Sequence, residues 1–337
     1  DVLGSRGLGD VYKRQYLKNA KWVLFLRLCH ERWQELLIDT KYIGNGARNK
    51  NPRKMETDLA IRAHALEKGM SIGSVKVGFG KQKVRNLLKD LQHYLNIDGH
   101  LEFACDVCTV IEKYILFNQH VGADMNDIIS LLDDFCRKNG IQIDSNADAG
   151  IYVKTLSKLA DERKSSFEVF SQSRFSVRDF GKEKVDFNKI LSALKMCERT
   201  PSACNRQSYK IYVYKDELLK NKIFEMQGGC NGFYEDMQIA ILICGDQRGY
   251  NINELHQVYV DGGIYAMNLL YALHYEGLAA IPLTMGQKQG KISLIKKEMD
   301  IPKYEMPCVL IGVGTYKDEY KVAVSKRKDF MEYTVIK

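Results

Sequence analysis

The stretch 171–209 constrains this chain most, because it carries two groups of charged and polar side chains separated by a short predicted helix. Its first part places Arg174, Ser176 and Arg178 on alternate positions. Alternate side chains of an extended segment point to one side, so two guanidiniums and a hydroxyl would face the same ligand. Arginine offers permanently charged, bidentate donors, which suit a phosphate and an electron-rich ring edge.

The second part of this stretch is a turn-rich loop over 200–209. It carries Ser202, Asn205 and Gln207. Short polar side chains of this kind can form hydrogen bonds with the edge of an amide-like heterocycle.

Length, charge and cysteine content exclude several classes of protein. The 337 residues suffice for one large or two ordinary domains, and 45% hydrophobic with 27% charged residues is normal for a globular protein. The net charge of +8 is scattered without a long basic block, which argues against nucleic-acid binding. A mildly basic chain suits anionic ligands, although solubility alone explains the charge equally well. Nine cysteines without framework spacing favour the reducing cytoplasm.

The beginning of the chain predicts neither a membrane span nor a signal peptide. The apolar run 22–26 is far too short to span a membrane, and charged residues follow it without a small-residue cleavage site. Residues 5–15 resemble the conceptual translation of a transposon adapter used in building sequencing libraries. We therefore expect 1–15 to be an artefact, in which Gly7 and Gly9 form no cofactor loop.

Hydrophobic periodicity divides the rest of the chain in two. From 16 to 165, apolar residues recur at helical three- and four-residue steps. The later half alternates strand and helix patterns, which predicts an α+β or α/β fold. The predicted helices there are 154–170, 253–276 and 292–299, and Asp186 and Asp216 are predicted to cap two further helices. The predicted strands are 210–214, 237–244, 278–282 and 308–314.

Two features of the first half have competing interpretations. His64, Glu67 and Lys68 precede Gly69, and they could rim a ligand site or form the solvated end of a helix. We favour the solvated helix end. Cys105 and Cys108 have the spacing of a redox or metal pair, but the flanking pattern places them three residues apart on one helix. We therefore predict buried structural cysteines and no metal site.

The order of the motifs resembles the FMN-dependent nitroreductase family. Arg-x-Ser-x-Arg-x-Phe at 174–180, followed by Pro-Ser-x-x-Asn-x-Gln at 201–207, resembles the opening of its domains. The segments 261–277, 280–286 and 299–314 resemble later parts of the family in the same order. The basic residues 326–328 resemble those that return to the flavin phosphate. The resemblance covers about 170–335.

This resemblance implies an α+β fold with a mixed sheet flanked by helices, and the periodicity places an all-helical N-terminal region, foreign to the core family, in front of it. We therefore divide the chain into the artefact 1–15, a helical region of unknown role at 16–165, and a nitroreductase-like FMN-binding domain at 166–337. It also implies a homodimer in which both subunits hold each FMN. One subunit would supply Arg174, Ser176, Arg178 and Arg327, with Thr284 and Gly286 beside the reactive edge of the flavin, and the other would supply Pro201, Ser202, Asn205 and Gln207.

In this interpretation the flavin carries the chemistry and no side chain is catalytic. NAD(P)H would deliver a hydride to flavin N5, and a nitro, quinone or enone-like acceptor would remove it in a ping-pong cycle. Arg178 would lie near N1, and Arg174 and Arg327 would bind the phosphate. No Gly-x-Gly-x-x-Gly fingerprint follows Gly312, so NAD(P)H would stack directly on the flavin. His256 and His274 are interpreted as structural or surface residues.

Two alternatives remain open from the sequence. The chemistry could run in the opposite direction, as a flavin-dependent oxidase or dehydrogenase of a biosynthetic intermediate. The chain could also be a scaffold without turnover, whose helical half recruits a partner.

Overall fold

The computed structural model describes residues 21–42, 51–251, 254 and 256–337 of the chain. The predicted artefact at 1–15 lies outside these residues. Within them, no helix combines the length and the apolar composition needed to cross a membrane.

The described residues of the first half form five helices, as the periodicity predicts. Four of them, α2 to α5, enclose a core in which Leu59, Leu66 and Ile111 are at most 1% exposed. The pair at Cys105 and Cys108 lies three residues apart within α4, and burial raises the pKa of both thiols. The five helices are α1 (Lys21–Tyr42), α2 (Pro52–Met70), α3 (Lys81–Leu95), α4 (Leu101–His120) and α5 (Asn126–Asn139).

The second half is built on a four-stranded sheet with the order β2-β3-β5-β4. The α+β class is therefore confirmed, and all three strand pairs are antiparallel where the resemblance implies a mixed sheet. The strands are β1 (Ile151–Thr155), β2 (Tyr209–Tyr214), β3 (Ile239–Asp246), β4 (Ala279–Thr284), β5 (Glu305–Gly314) and β6 (Glu319–Ala323). The helices are α6 (Leu156–Glu162), α7 (Phe167–Ser173), α8 (Phe187–Met196), α9 (Glu217–Gln227), α10 (Gln257–Tyr275) and α11 (Gln289–Glu298).

Strand β3 is buried on both faces, as its unbroken apolar run predicts. Ile241 belongs to the core that α8 and α10 cover, and Leu242 belongs to the core that α9 and α11 cover. Both predicted helix caps are confirmed: the carboxylates of Asp186 and Asp216 accept hydrogen bonds from backbone N–H groups in the first turns of α8 and α9.

The predicted helix over 154–170 is wrong. Strand β1 occupies 151–155 and pairs antiparallel with β6, and only α6 and α7 follow it. Residues 151–153 are Ile, Tyr and Val, types that favour a half-buried strand once a partner such as β6 is available. Strand β1 therefore lies before the predicted domain boundary at 165/166, whereas its partner β6 lies after it. The division into domains stays a prediction.

The long helix α10 packs closely against the sheet through a glycine. A Cβ at Gly262 would lie 2.6 Å from Cys308 Sγ and 2.7 Å from Cys308 Cβ, so no larger residue fits there without movement. The side of α10 turned away from the sheet leaves Val260, Ile264 and Met267 exposed at helical spacing.

Substitution Gly262→Ala should lower the free energy of unfolding by about 1–3 kcal/mol, the usual cost of overpacking a well-packed core. Gly290 in α11 is the matched control, since a Cβ there meets nothing within 4 Å. Gly290→Ala should leave stability unchanged or raise it by up to about 1 kcal/mol. Urea unfolding of both variants tests this, and equal stability would contradict the close approach.

Candidate functional site

The segment that carries the first arginine motif lies along the outer edge of β4. The backbone N–H of Val177 donates to the carbonyl of Ala280 at 3.1 Å, which adds the segment beside the last strand of the sheet. Arg174, which ends α7, has extended dihedral angles (φ −77°, ψ 121°). The geometry therefore agrees with the predicted extended run at this point.

Arg174 is half-buried and lacks a complete set of partners. Its Nη1 is buried and has no hydrogen-bond partner among the residues that the structure describes. Burial lowers the pKa of Arg174, and the positive charge of Arg327 lowers it further. A guanidinium with an unpaired buried N–H group suits an anionic ligand.

Arg178 is buried more deeply, with 8% of its surface exposed. Its Nη1 donates a long hydrogen bond of 3.4 Å to the carbonyl of Ser176. Burial lowers the pKa of Arg178 to about 10, and the carboxylate of Glu67 partly opposes this shift. The next residue, Asp179, is paired with Lys317.

In the described ranges of the chain, no salt bridge joins a carboxylate to Arg174 or Arg178. Burying a cation without a partner is costly, so such groups in a stable protein are normally paired with a ligand or a neighbour. These two arginines therefore fit a negatively charged ligand, and an FMN phosphate and pyrimidine edge are groups of that kind.

The loop that carries the second motif is held in an unusual backbone conformation. Cys204, Asn205 and Gln207 have φ angles of 48°, 52° and 50°, in the left-handed region that non-glycine residues rarely adopt. Ser202 Oγ accepts a hydrogen bond from the N–H of Gln207 at 2.9 Å. The side chains of Pro201, Asn205 and Gln207 are exposed. A strained loop that presents polar side chains outward is typical of a binding site.

Two anchors that the sequence analysis missed hold this loop. The carboxylate of Asp261, 1% exposed, accepts from the N–H of Ala203 at 3.2 Å. Arg206 donates to both carboxylate oxygens of Glu254, at 2.8 and 2.6 Å. Both acidic partners lie more than 45 residues along the chain from the loop, so no local pattern could reveal them.

Thr284 and Gly286 lie at the far end of β4 from the contact with Val177. Thr284 Oγ1 accepts a hydrogen bond from the N–H of Gly286 at 3.1 Å, and its carbonyl accepts from Gln227 Nε2 at 3.0 Å. Both Thr284 and Gly286 are exposed. They border the same edge of the sheet as the arginine segment.

The two motifs lie at opposite edges of the sheet. The arginine segment borders β4, whereas the loop 200–208 leads into β2, the strand at the other edge. Three strand intervals of about 4.8 Å separate β2 from β4, roughly 14 Å in all. One chain therefore does not bring Asn205 and Gln207 together with Arg174 and Arg178.

His274 has a buried position and His256 an exposed one. His274 is 1% exposed, and its ring nitrogens lie 2.8 Å from Ser173 Oγ and 3.3 Å from the Tyr316 hydroxyl. Burial lowers the pKa of His274 to about 3, so its ring is neutral and structural. His256 is exposed and lies 2.6 Å from Glu35. No group of three or more metal-ligating side chains occurs in the part of the chain that is described.

Comparison with known proteins places part of this chain in a family. Residues 172–231, which hold both motifs, match the model of the Nitroreductase family. This match supports a nitroreductase family for the C-terminal half of the chain. Its relatives include a putative NADH dehydrogenase/NAD(P)H nitroreductase of Methanothermobacter thermautotrophicus. That protein is 26% identical over 142 residues, which are 42% of this chain and 70% of the relative.

Solved structures show a similar but more distant likeness to the nitroreductase half. A putative NADH dehydrogenase/NAD(P)H nitroreductase of Parabacteroides distasonis is 23% identical, covering 48% of this chain and 92% of its own, with a TM-score of 0.43. A putative NADH oxidase of Clostridium acetobutylicum is 22% identical, covering 50% and 99%, with a TM-score of 0.44. An FMN-dependent nitroreductase of Clostridium difficile is 20% identical, covering 48% and 92%, with a TM-score of 0.41.

The buried His274 predicts that the protein loses stability in mild acid. The unfolded chain binds a proton at an ordinary histidine pKa near 6.5, whereas the folded protein does so only near 3. Between these values the unfolded state holds more protons, so stability falls as the pH falls, by up to about 1.4 kcal/mol per pH unit.

Urea unfolding between pH 7 and pH 4 measures this slope. His274→Asn should flatten the profile, because the group that titrates on unfolding is gone. His120→Asn, at an exposed position in α4, is the control and should leave the profile as in the parent protein. An identical slope in His274→Asn and in the parent would contradict the assignment.

Proposed function

We propose that the C-terminal half binds FMN and works as an NAD(P)H-dependent oxidoreductase with a small oxidised acceptor of the nitro, quinone or enone class. The observation that carries this proposal is the pair formed by the half-buried Arg174 and the buried Arg178, neither of which has a salt bridge to a carboxylate in the described residues. The family match over 172–231 covers the same arginines and supports a flavin as their ligand. When bound, FMN would accept a hydride from NAD(P)H at N5 and pass it on to the acceptor.

The residues of the chain would bind, orient and tune the cofactor. Arg174 and Arg327 would hold the phosphate, because guanidinium groups donate charge-assisted, bidentate hydrogen bonds to phosphate oxygens. Arg178 would lie along the pyrimidine edge, where a fixed cation stabilises negative charge. The segment from Thr284 to Gly286, at the exposed end of β4, would border the ring.

The site we propose needs a second copy of the chain. Ser202, Asn205 and Gln207 lie at the sheet edge opposite the arginines, so they would complete the site of a partner subunit. The exposed apolar stripe Val260, Ile264 and Met267 on α10 supports such an interface.

We also propose a cytoplasmic location. All nine cysteines are free thiols, including the exposed Cys29 and Cys204, which fits a reducing compartment.

A flavin spectrum of the purified protein, reconstituted with FMN and then treated with NADH or NADPH without oxygen, tests the proposed function. We expect a blue-absorbing flavin that bleaches with at least one nicotinamide and recovers its colour when a quinone or nitro compound is added. A protein that takes up no FMN would overturn the proposal and favour a flavin-free scaffold. Bound flavin that neither nicotinamide reduces would instead favour an oxidase or a scaffold that does not turn over.

Mixed dimers test the shared site. In a homodimer whose two subunits carry the same substitution, either Arg174→Ala or Asn205→Ala should weaken FMN binding. A dimer with one subunit of each kind, isolated with two affinity tags, should recover one intact site, or about half of the parental FMN content. If the mixed dimer binds no FMN tightly, a single chain supplies both motifs of each site.

A further inference from the structure

The last turn of α2 lies beside Arg178, although α2 belongs to the N-terminal helical region. The chain that follows α2 is fixed to the second half: Lys321 Nζ donates to the carbonyl of Ile72 at 3.3 Å. A Cβ on Gly73 would lie 2.5 Å from Asp179 Oδ1, so the backbone there nearly touches the neighbour of Arg178. Residues that α2 presents at its end therefore reach the candidate flavin site.

Glu67 at this end of α2 is buried, with 3% of its surface exposed, so the interpretation of a solvated helix end is wrong for this residue. Its Oε1 accepts from the N–H of Gly150 at 3.1 Å, and its Oε2 lies 3.1 Å from His64 Nδ1. His64 in turn lies 3.3 Å from Ser325 Oγ, two residues before Arg327. Glu67 is thus occupied by its own partners and ties α2 to the rim of the site.

Lys68 is half-buried next to this carboxylate and has no such partners. In the described residues, no hydrogen bond or salt bridge reaches its Nζ. Burial lowers the pKa of Lys68, and the positive charges of Arg178 and then Lys83 lower it further. Two partly desolvated cations therefore lie near each other at one place, an arrangement that an anionic ligand would stabilise.

We propose that Lys68 is a positioning residue of the flavin site, which pairs with Arg178 to hold the negative charge that bound FMN gains on reduction. The inference rests on the proposed function. It assigns the ring rather than the phosphate to Lys68, because the chain just after α2 approaches Asp179, the neighbour of Arg178, and we propose that Arg178 lies along the ring. The N-terminal helical region would then supply part of the redox site and would not be a separate module.

The test compares Lys68→Gln with Lys76→Gln in the full chain. Lys76 is an exposed lysine in the turn after α2, so its variant removes the same charge away from the site. Two quantities are measured: the dissociation constant of oxidised FMN, by quenching of its fluorescence, and the midpoint potential of the bound flavin, by equilibration with redox dyes. Far-ultraviolet circular dichroism verifies that each variant folds, and Lys68→Met is a second neutral variant in case Lys68→Gln does not.

We expect Lys68→Gln to weaken the binding of reduced FMN about tenfold more than the binding of oxidised FMN. For a two-electron couple this corresponds to a midpoint potential about 30 mV lower. Lys68→Arg should keep the parental potential, because it keeps the charge. Lys76→Gln should change neither quantity.

The remaining outcomes each overturn the inference in a different way. If the parent binds FMN and the neutral variants keep its potential, Lys68 has no such role and the proposed function stands. If the neutral variants lose affinity for FMN but not for riboflavin, at unchanged potential, Lys68 contacts the phosphate instead of the ring. If the parent itself binds no FMN, the proposed function fails and this inference fails with it.

Discussion

The burial of cationic side chains beside the outer edge of β4 is the constraint on which the candidate site depends. Arg174 and Arg178 are partly or largely removed from water, and no carboxylate in the described residues forms a salt bridge with either of them. A protein gains nothing in stability from such groups alone, and removing their solvation opposes folding. Their presence is more easily explained by a ligand than by the fold, because a bound anion would return the interactions that burial removes.

The same logic distinguishes the arginines of the site from the other charged groups around it. Arg206 donates hydrogen bonds to both carboxylate oxygens of Glu254, and Asp179 forms a salt bridge with Lys317, so both residues have structural partners. Among the described residues near the edge of β4, Arg174 and Arg178 have no such carboxylate partner. This difference in pairing, rather than the number of basic residues, is what marks the site within a chain whose charge is widely scattered.

Much of the fold could be predicted from the sequence because its signals are local. Helical spacing gives α2 to α5, an unbroken apolar run gives β3, and Asp186 and Asp216 mark helix starts with their own side chains. Strand β1 escaped prediction because its conformation depends on β6, far along the chain. Five residues with mixed propensity cannot reveal a partner that distant.

The candidate site likewise has one part that local sequence patterns predict and another part that depends on the packing of distant segments. Arg174, Ser176 and Arg178 could be predicted because an extended segment sorts its side chains by alternate positions. Whether two segments meet is a property of the fold, and the sheet order separates the arginine segment from the loop 200–208. The burial of Glu67 and the approach of Lys68 to Arg178 arise from packing between the two halves, which no pattern within α2 could show.

The pairing of β1 with β6 has a consequence for the order in which the chain can assemble. The helices α2 to α5 make mainly contacts close in sequence, so they can fold while the ribosome is still synthesising the rest. Strand β1 must wait until β6, far along the chain, has been made. Until then the contacts between the end of α2 and the second half cannot form, and the candidate coenzyme site acquires its N-terminal wall only after the sheet has been synthesised.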